Sequence, residues 1–184
     1  MTEQLGALGI VGSPREGGNT DVLVEEILAG AQERGAQIER AALRDLSIEP
    51  CRACDACHET GQCVIDDDMA GLVDRMRDFT AWVMGTPVYW WGPTAQFKAF
   101  LDRWYMFDQR RDIFRKRRVV FAVPSGGGAA YAQHAVGILE EVANYLGMDH
   151  RGTLVVGVSG ERGAVRSQTQ VMEQARDLGR LLIG

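Results

Sequence analysis

Short unbroken apolar runs alternate along this chain with stretches whose apolar residues recur every three or four positions. Leu5–Val11 is the first run, and it stops at Gly12-Ser13-Pro14. A continuous run of that length predicts a strand buried on both faces. Leu23, Ile27 and Ala31, with Val24 and Leu28 beside them, then mark one helical face after Asn19-Thr20. Ile38–Leu43 predicts a second strand. Met69, Leu72, Val73 and Met76 predict a helix, and Asp66-Asp67-Asp68 before it can cap its free N–H groups and complement its dipole. Ala81–Gly85 is the third strand. Phe97, Phe100, Leu101, Trp104 and Tyr105 form the next helical stripe. Val119–Val123 and Leu154–Val158 are strands four and five. Ile138, Leu139, Val142 and Leu146 predict a helix between them, and Val171, Ala175, Leu178 and Leu182 predict a last one.

Strands that alternate with helices imply a parallel sheet covered on both faces. Five strands in 184 residues predict one domain, 1–184, of flavodoxin-like three-layer α/β architecture. The expected strand order is 2-1-3-4-5, with a cysteine-rich loop, 50–66, after the second strand. In that order strands one and three are neighbours and the chain reverses direction between them. Ligands bind at the carboxyl ends of strands beside such a switch point. The loops after strands one, three and four are therefore expected to converge.

Each of those loops is unusual. The first, Gly12-Ser13-Pro14-Arg15-Glu16-Gly17-Gly18-Asn19-Thr20, joins a strand to a helix. Its glycines let the backbone approach an anion, Ser13 and Thr20 offer hydroxyls, Arg15 offers charge, and the helix start offers free amides. It lacks the Gly-Lys-Ser/Thr of a nucleotide-triphosphate loop and the G-x-G-x-x-G of a dinucleotide site, so a monophosphate suits it. The second, Thr86–Thr94, carries Tyr89-Trp90-Trp91 between Pro87 and Gly92-Pro93. Three consecutive aromatics at a strand end cannot all face the core. They suit either a flat ligand ring or a subunit contact. The third loop, Pro124-Ser125-Gly126-Gly127-Gly128-Ala129-Ala130-Tyr131, exposes backbone donors and acceptors to a ring edge.

All four cysteines fall within thirteen residues: Cys51-x2-Cys54-x2-Cys57-x5-Cys63. Such spacing suits an iron–sulfur cluster; structural zinc usually takes two pairs set farther apart, and free reactive thiols are the third reading. Met1–Gln4 leads into the first apolar run with no basic region of a secretory leader, so a cytoplasmic, thiol-reducing setting is expected. His58 lies inside the cysteine loop, and four thiolates already fill a site without it.

A net charge of -5 argues against a nucleic-acid partner, and no apolar run is long enough to span a membrane. The exception to the acidic balance is Arg110, Arg111, Arg115, Lys116, Arg117 and Arg118. That run reads as a solvated helix end, or as a patch for a phosphate-bearing nicotinamide or an acidic partner. Lys98 and Asp102 can pair along a helix face.

Ser13-Pro14-Arg15 with Asn19-Thr20, then Pro87-Val88-Tyr89 leading to Lys98, Asp102 and Arg103, then Ser125-Gly126-Gly127, resemble the NAD(P)H-dependent FMN reductases. The cysteine run followed by Val64-Ile65-Asp66-Asp67-Asp68-Met69 resembles their iron–sulfur flavoprotein branch. The resemblance implies an FMN-dependent oxidoreductase fed by NAD(P)H or another two-electron donor, passing electrons to a small-molecule or protein acceptor. It implies a 4Fe–4S cluster on Cys51, Cys54, Cys57 and Cys63, and a homodimer or homotetramer. A cluster-free FMN or quinone reductase and a flavodoxin-like electron carrier are the alternatives. Ser13, Arg15, Gly18, Asn19 and Thr20 are expected to hold the phosphate. Pro87, Val88, Tyr89, Trp90, Trp91 and Gly92 are expected to line the ring, with Ser125, Gly126, Gly127 and Tyr131 at its polar edge. No side chain need act as acid or base, because the flavin carries the chemistry.

Overall fold

A computed structural model describes residues 5–184; the expectation drawn from Met1–Gln4 lies outside them. Five parallel strands form one sheet in the order β2-β1-β3-β4-β5. They are β1 (Gly6–Val11), β2 (Gln37–Ala42), β3 (Ala81–Gly85), β4 (Arg118–Ser125) and β5 (Asp149–Gly157). Six helices connect them: α1 (Asn19–Glu33), α2 (Ala56–Thr60), α3 (Met69–Asp78), α4 (Ala95–Asp102), α5 (Ala129–Leu146) and α6 (Thr169–Ile183). This is the flavodoxin-like order, with its switch point between β1 and β3.

The two faces of the sheet bury separate clusters. Val22, Leu23, Ile27 and Ala31 of α1 pack with Ala175 and Leu182 of α6 on one side. Leu72 and Met76 of α3, Phe97 and Phe100 of α4, and Leu139 of α5 cover the other, together with Trp82 and Trp104. Met69 and Met76 are fully buried, as the helical stripe requires. Gly30 and Gly179 let α1 and α6 approach backbone to backbone. A Cβ at Gly30 would sit 2.0 Å from the Arg176 carbonyl oxygen, and one at Gly179 would sit 1.9 Å from that of Ile27.

Two local departures from the sequence pattern, in α4 and β5, have physical causes, and the expected aspartate cap of α3 is met. The helical stripe through Tyr105 is broken: α4 ends at Asp102 and a 3-10 turn covers Arg103–Phe107. The tightened turn buries Arg103, which forks onto the Asp67 carboxylate at 2.5 and 3.1 Å and donates to the Glu49 carbonyl at 3.0 Å. Asp67, rather than Asp68, caps α3, accepting from the Met69 amide at 3.1 Å. Strand β5 starts five residues before the apolar run, at Asp149, because an edge strand needs only one paired neighbour and buries less.

The basic run lies at the amino edge of the sheet, opposite the convergent loops. Arg117 donates to the carbonyls of Ile113, Phe79 and Arg77, and Arg118 to that of Ile183 at 2.7 Å. There these arginines tie strand and helix ends together.

Candidate functional site

The loops after β1 and β3 are locked to each other before any ligand is considered. The Thr94 hydroxyl donates to the Gly12 carbonyl at 2.5 Å and accepts from the Phe97 amide at 3.2 Å, so one buried side chain caps α4 and holds the first loop. The Thr94 amide donates to the Thr86 hydroxyl at 3.2 Å, and the Gly12 amide to the Gly85 carbonyl at 2.7 Å. Glycine is required at position 12, because a Cβ there would lie 2.5 Å from the Phe97 ring.

Above this lock lies a pocket of 190 Å³ at the carboxyl edge of the sheet. Ser13, Arg15, Gly18, Asn19 and Thr20 form its floor, at the N-terminus of α1. The first helical amide to find a partner inside the helix is that of Val22, on the Gly18 carbonyl. Among the described residues the Asn19, Thr20 and Asp21 amides have no hydrogen-bond partner, and the helix dipole there favours an anion. Pro87, Val88 and Tyr89 give an apolar wall, and Ser125 and Gly126 the facing polar edge. Ten of the residues expected from sequence are thus brought together.

Trp90, Trp91, Gly92, Gly127 and Tyr131 are not in that lining. The reason is backbone. Tyr89 and Gly92 exchange amide-to-carbonyl hydrogen bonds at 2.9 and 3.1 Å. Trp90 and Trp91 take the two central positions of this tight turn, with φ of 49° and 63°. Both positions call for glycine or asparagine in a type I′ turn. Two bulky residues in the left-handed region cost on the order of 1–3 kcal/mol each, strain that concentrates at functional sites. The turn throws the Trp90 indole outward, 91% exposed, and lays Trp91 against Tyr131 with ring centroids 6.0 Å apart.

Sequence reasoning missed a fourth loop. Val158, Ser159, Gly160, Glu161 and Arg162 complete the pocket from the end of β5. Arg15 reaches across to the Gly160 carbonyl at 2.8 Å. Asn19 donates to the carbonyls of Ser159 and Glu161 at 3.2 and 3.0 Å and accepts from the Val165 amide at 3.0 Å. The glycines at 157, 160 and 163 were the available signal.

The cysteine loop is clamped at both feet. The Asp67 carboxylate accepts from the Glu49 amide at 2.9 Å, and Asp68 from the Ser47 amide at 2.7 Å. Burial pushes the Asp67 carboxyl up, but the Arg103 guanidinium and the Glu49 and Met69 amides outweigh it and leave it below the usual carboxylate range. Left-handed backbone at Ala53 and Asp55 coils the loop, and Asp55 accepts from the Tyr105 hydroxyl at 2.9 Å. His58 packs on the Tyr105 ring at 4.5 Å between centroids. Burial raises the Cys57 thiol, and Cys63, Cys51 and Cys54 raise it further by like-charge repulsion, so the four sulfurs feel one another. As placed they do not converge: among the described residues no three His, Cys, Asp or Glu side chains are grouped to hold a metal ion. A larger cleft, 530 Å³, opens beside Cys51 between Leu101, Trp104, Val142 and Leu146. It has no helix N-terminus or glycine loop to receive a phosphate.

The fold is flavodoxin-like, and its switch-point pocket sets the loop that opens α1 against an apolar wall. The chain belongs to the NADPH-dependent FMN reductase family, whose model matches residues 6–183. An iron-sulfur flavoprotein of Methanosarcina thermophila is 31% identical over 157 residues, covering 85% of this chain and 80% of that one. Iron-sulfur flavoprotein MJ1083 of Methanocaldococcus jannaschii is 41% identical over 96 residues, and the match spans only 52% of this chain and half of that protein. Among solved structures, a flavone reductase superposes with a TM-score of 0.71 at 21% identity, covering 97% of this chain and 62% of that one. That likeness is one of fold. Among the described residues, no helix is long and apolar enough to cross a membrane.

Proposed function

We propose that this protein is an FMN-dependent oxidoreductase that takes electrons from NADPH or NADH and delivers them to a small-molecule or protein acceptor. The observation that carries this is the pocket at the β1/β3 switch point. A phosphate loop opening α1 there faces an apolar wall, Pro87-Val88-Tyr89, and a polar edge, Ser125-Gly126. The family match over residues 6–183 supports it. FMN supplies hydride acceptance and electron release from its ring when bound. The chain's own residues bind and orient it. Ser13, Arg15, Gly18, Asn19 and Thr20 receive the phosphate, Pro87, Val88 and Tyr89 face the ring, and Ser125 and Gly126 meet its polar edge. Trp90, Trp91, Gly92, Gly127 and Tyr131 flank that site from outside its lining. The chain acts as one FMN-binding domain, 1–184, in the cytoplasm.

The finer reading adds a 4Fe–4S cluster on Cys51, Cys54, Cys57 and Cys63 and a homodimer or homotetramer. The names of the archaeal relatives and the exclusively thiol donor set support the cluster. The exposed Tyr89, Trp90, Trp91 and Tyr131 support assembly. A second reading, a cluster-free reductase, is favoured by the thiols' failure to converge. FMN-loaded protein should oxidise NADPH or NADH with an artificial two-electron acceptor under steady-state conditions. Absence of turnover with both nicotinamides, FMN being bound, would leave an electron carrier and overturn the enzyme reading.

A further inference from the structure

Asp21 is a carboxylate buried one residue beyond the phosphate loop, in the first turn of α1. Left alone it would repel any anion seated on Ser13, Gly18 and Thr20. It is not alone. Arg40 and Arg44 each donate to the same carboxylate oxygen, at 3.0 and 3.1 Å. The other oxygen is buried without a partner among the described residues. The same Arg44 nitrogen also lies 3.4 Å from the Ser13 carbonyl. That carbonyl belongs to a peptide ending in Pro14, which has no N–H to offer an anion. The Arg44 guanidinium draws on the negative end of that carbonyl.

The local charges sum to an excess of one positive: two guanidiniums against one carboxylate. Two outer carboxylates reverse the formal sum to one negative, but they sit at the solvated edge, where screening weakens them. Asp45 lies 3.8 Å from Arg44 and Glu25 3.9 Å from Arg40, and both are largely solvated. Arg44 itself is only 12% exposed, so its field reaches the loop with less screening than a surface arginine would give.

We propose that Arg44 is a positioning residue for the phosphate of the bound flavin nucleotide. From beneath the loop it cancels the Asp21 carboxylate and draws on the negative end of the Ser13 carbonyl. It is outside the lining of the switch-point pocket, and nothing in the sequence pattern distinguishes it. The inference rests on the FMN reading above.

Dissociation constants for FMN and riboflavin, from quenching of flavin fluorescence on the full chain, test it. Riboflavin has the same ring without the phosphate. Arg44→Met should weaken FMN about tenfold or more, which corresponds to about 1.4 kcal/mol, while riboflavin shifts less than about twofold. Arg44→Lys should keep most of the FMN affinity. Adding Asp21→Asn to Arg44→Met should restore FMN to within about threefold of wild type, because the repelling charge is gone. Equal loss for both flavins, no loss for either, or no recovery in the double variant would overturn the proposal. Should Arg44→Met fail to fold, Asp21→Asn alone still decides: it should bind FMN at least as tightly as wild type, and weaker binding contradicts. Failure of the wild-type chain to bind FMN at all would instead overturn the function proposed above.

Discussion

The Thr94 hydroxyl and the Gly12 carbonyl meet at 2.5 Å, both buried, and this contact joins the start of α4 to the loop that leaves β1. The same oxygen caps α4 through the Phe97 amide. Thr94→Val keeps the shape and removes both bonds, leaving a buried carbonyl and a buried amide unpaired. Urea denaturation should show a loss of about 2–4 kcal/mol, a cap plus an unsatisfied buried group. A loss below about 0.5 kcal/mol would show that the contact does not hold the site together.

Arg15 separates stability from binding. Its bond to the Gly160 carbonyl is exposed, so Arg15→Ala should change stability by less than about 1 kcal/mol. FMN affinity should fall by about 1.5–3 kcal/mol, the scale of a hydrogen bond to a charged group. Unfolding curves and flavin titration on one preparation check both halves.

Most of the fold was legible because continuous apolar runs and helical stripes report burial directly. The strands appear where Leu5–Val11, Ala81–Gly85 and Val119–Val123 announce them, with ends shifted by a few residues. The early end of α4 was not legible, since Trp104 and Tyr105 continue the helical spacing. What breaks it is a partner 36 residues away, Asp67, which draws Arg103 inward. The outward turn of Trp90 was hidden for a related reason. Left-handed backbone at two tryptophans contradicts local preference and is set by the Tyr89–Gly92 bridge. Ser13, Asn19 and Ser125 meet in one pocket because the loops that carry them leave β1 and β4 at the same edge of the sheet. The fourth loop carries the weaker local signal, scattered glycines after an edge strand.

The Arg103–Asp67 pair, with side chains 2% and 5% exposed, predicts a pH dependence. The Asp67 carboxyl is held below its usual range in the fold. Its stabilisation is therefore present above the unfolded pKa of about 4 and is lost as pH falls through the lower folded value. Urea midpoints between pH 7 and pH 3 should drop more steeply for wild type than for Asp67→Asn, the two converging at low pH. Parallel curves would contradict this.

Cys57 decides between the cluster and the cluster-free reading. Cys57→Ser, prepared without oxygen, should lose iron and sulfide yet keep FMN, because the loops proposed to hold the flavin follow β1, β3, β4 and β5 whereas the cysteines follow β2. Wild-type protein with no iron or sulfide after anaerobic reconstitution would leave the flavin reductase alone. One zinc per chain would mark a structural site.

The flavin itself is the most direct test of the account. Protein purified with its cofactor is denatured, and the released flavin is identified and counted per chain. The single loop proposed to seat a phosphate, at the start of α1, predicts FMN at one per chain. Stoichiometric FAD, or a chain that takes up no FMN when it is supplied, would contradict the reading of the β1/β3 pocket on which the rest depends.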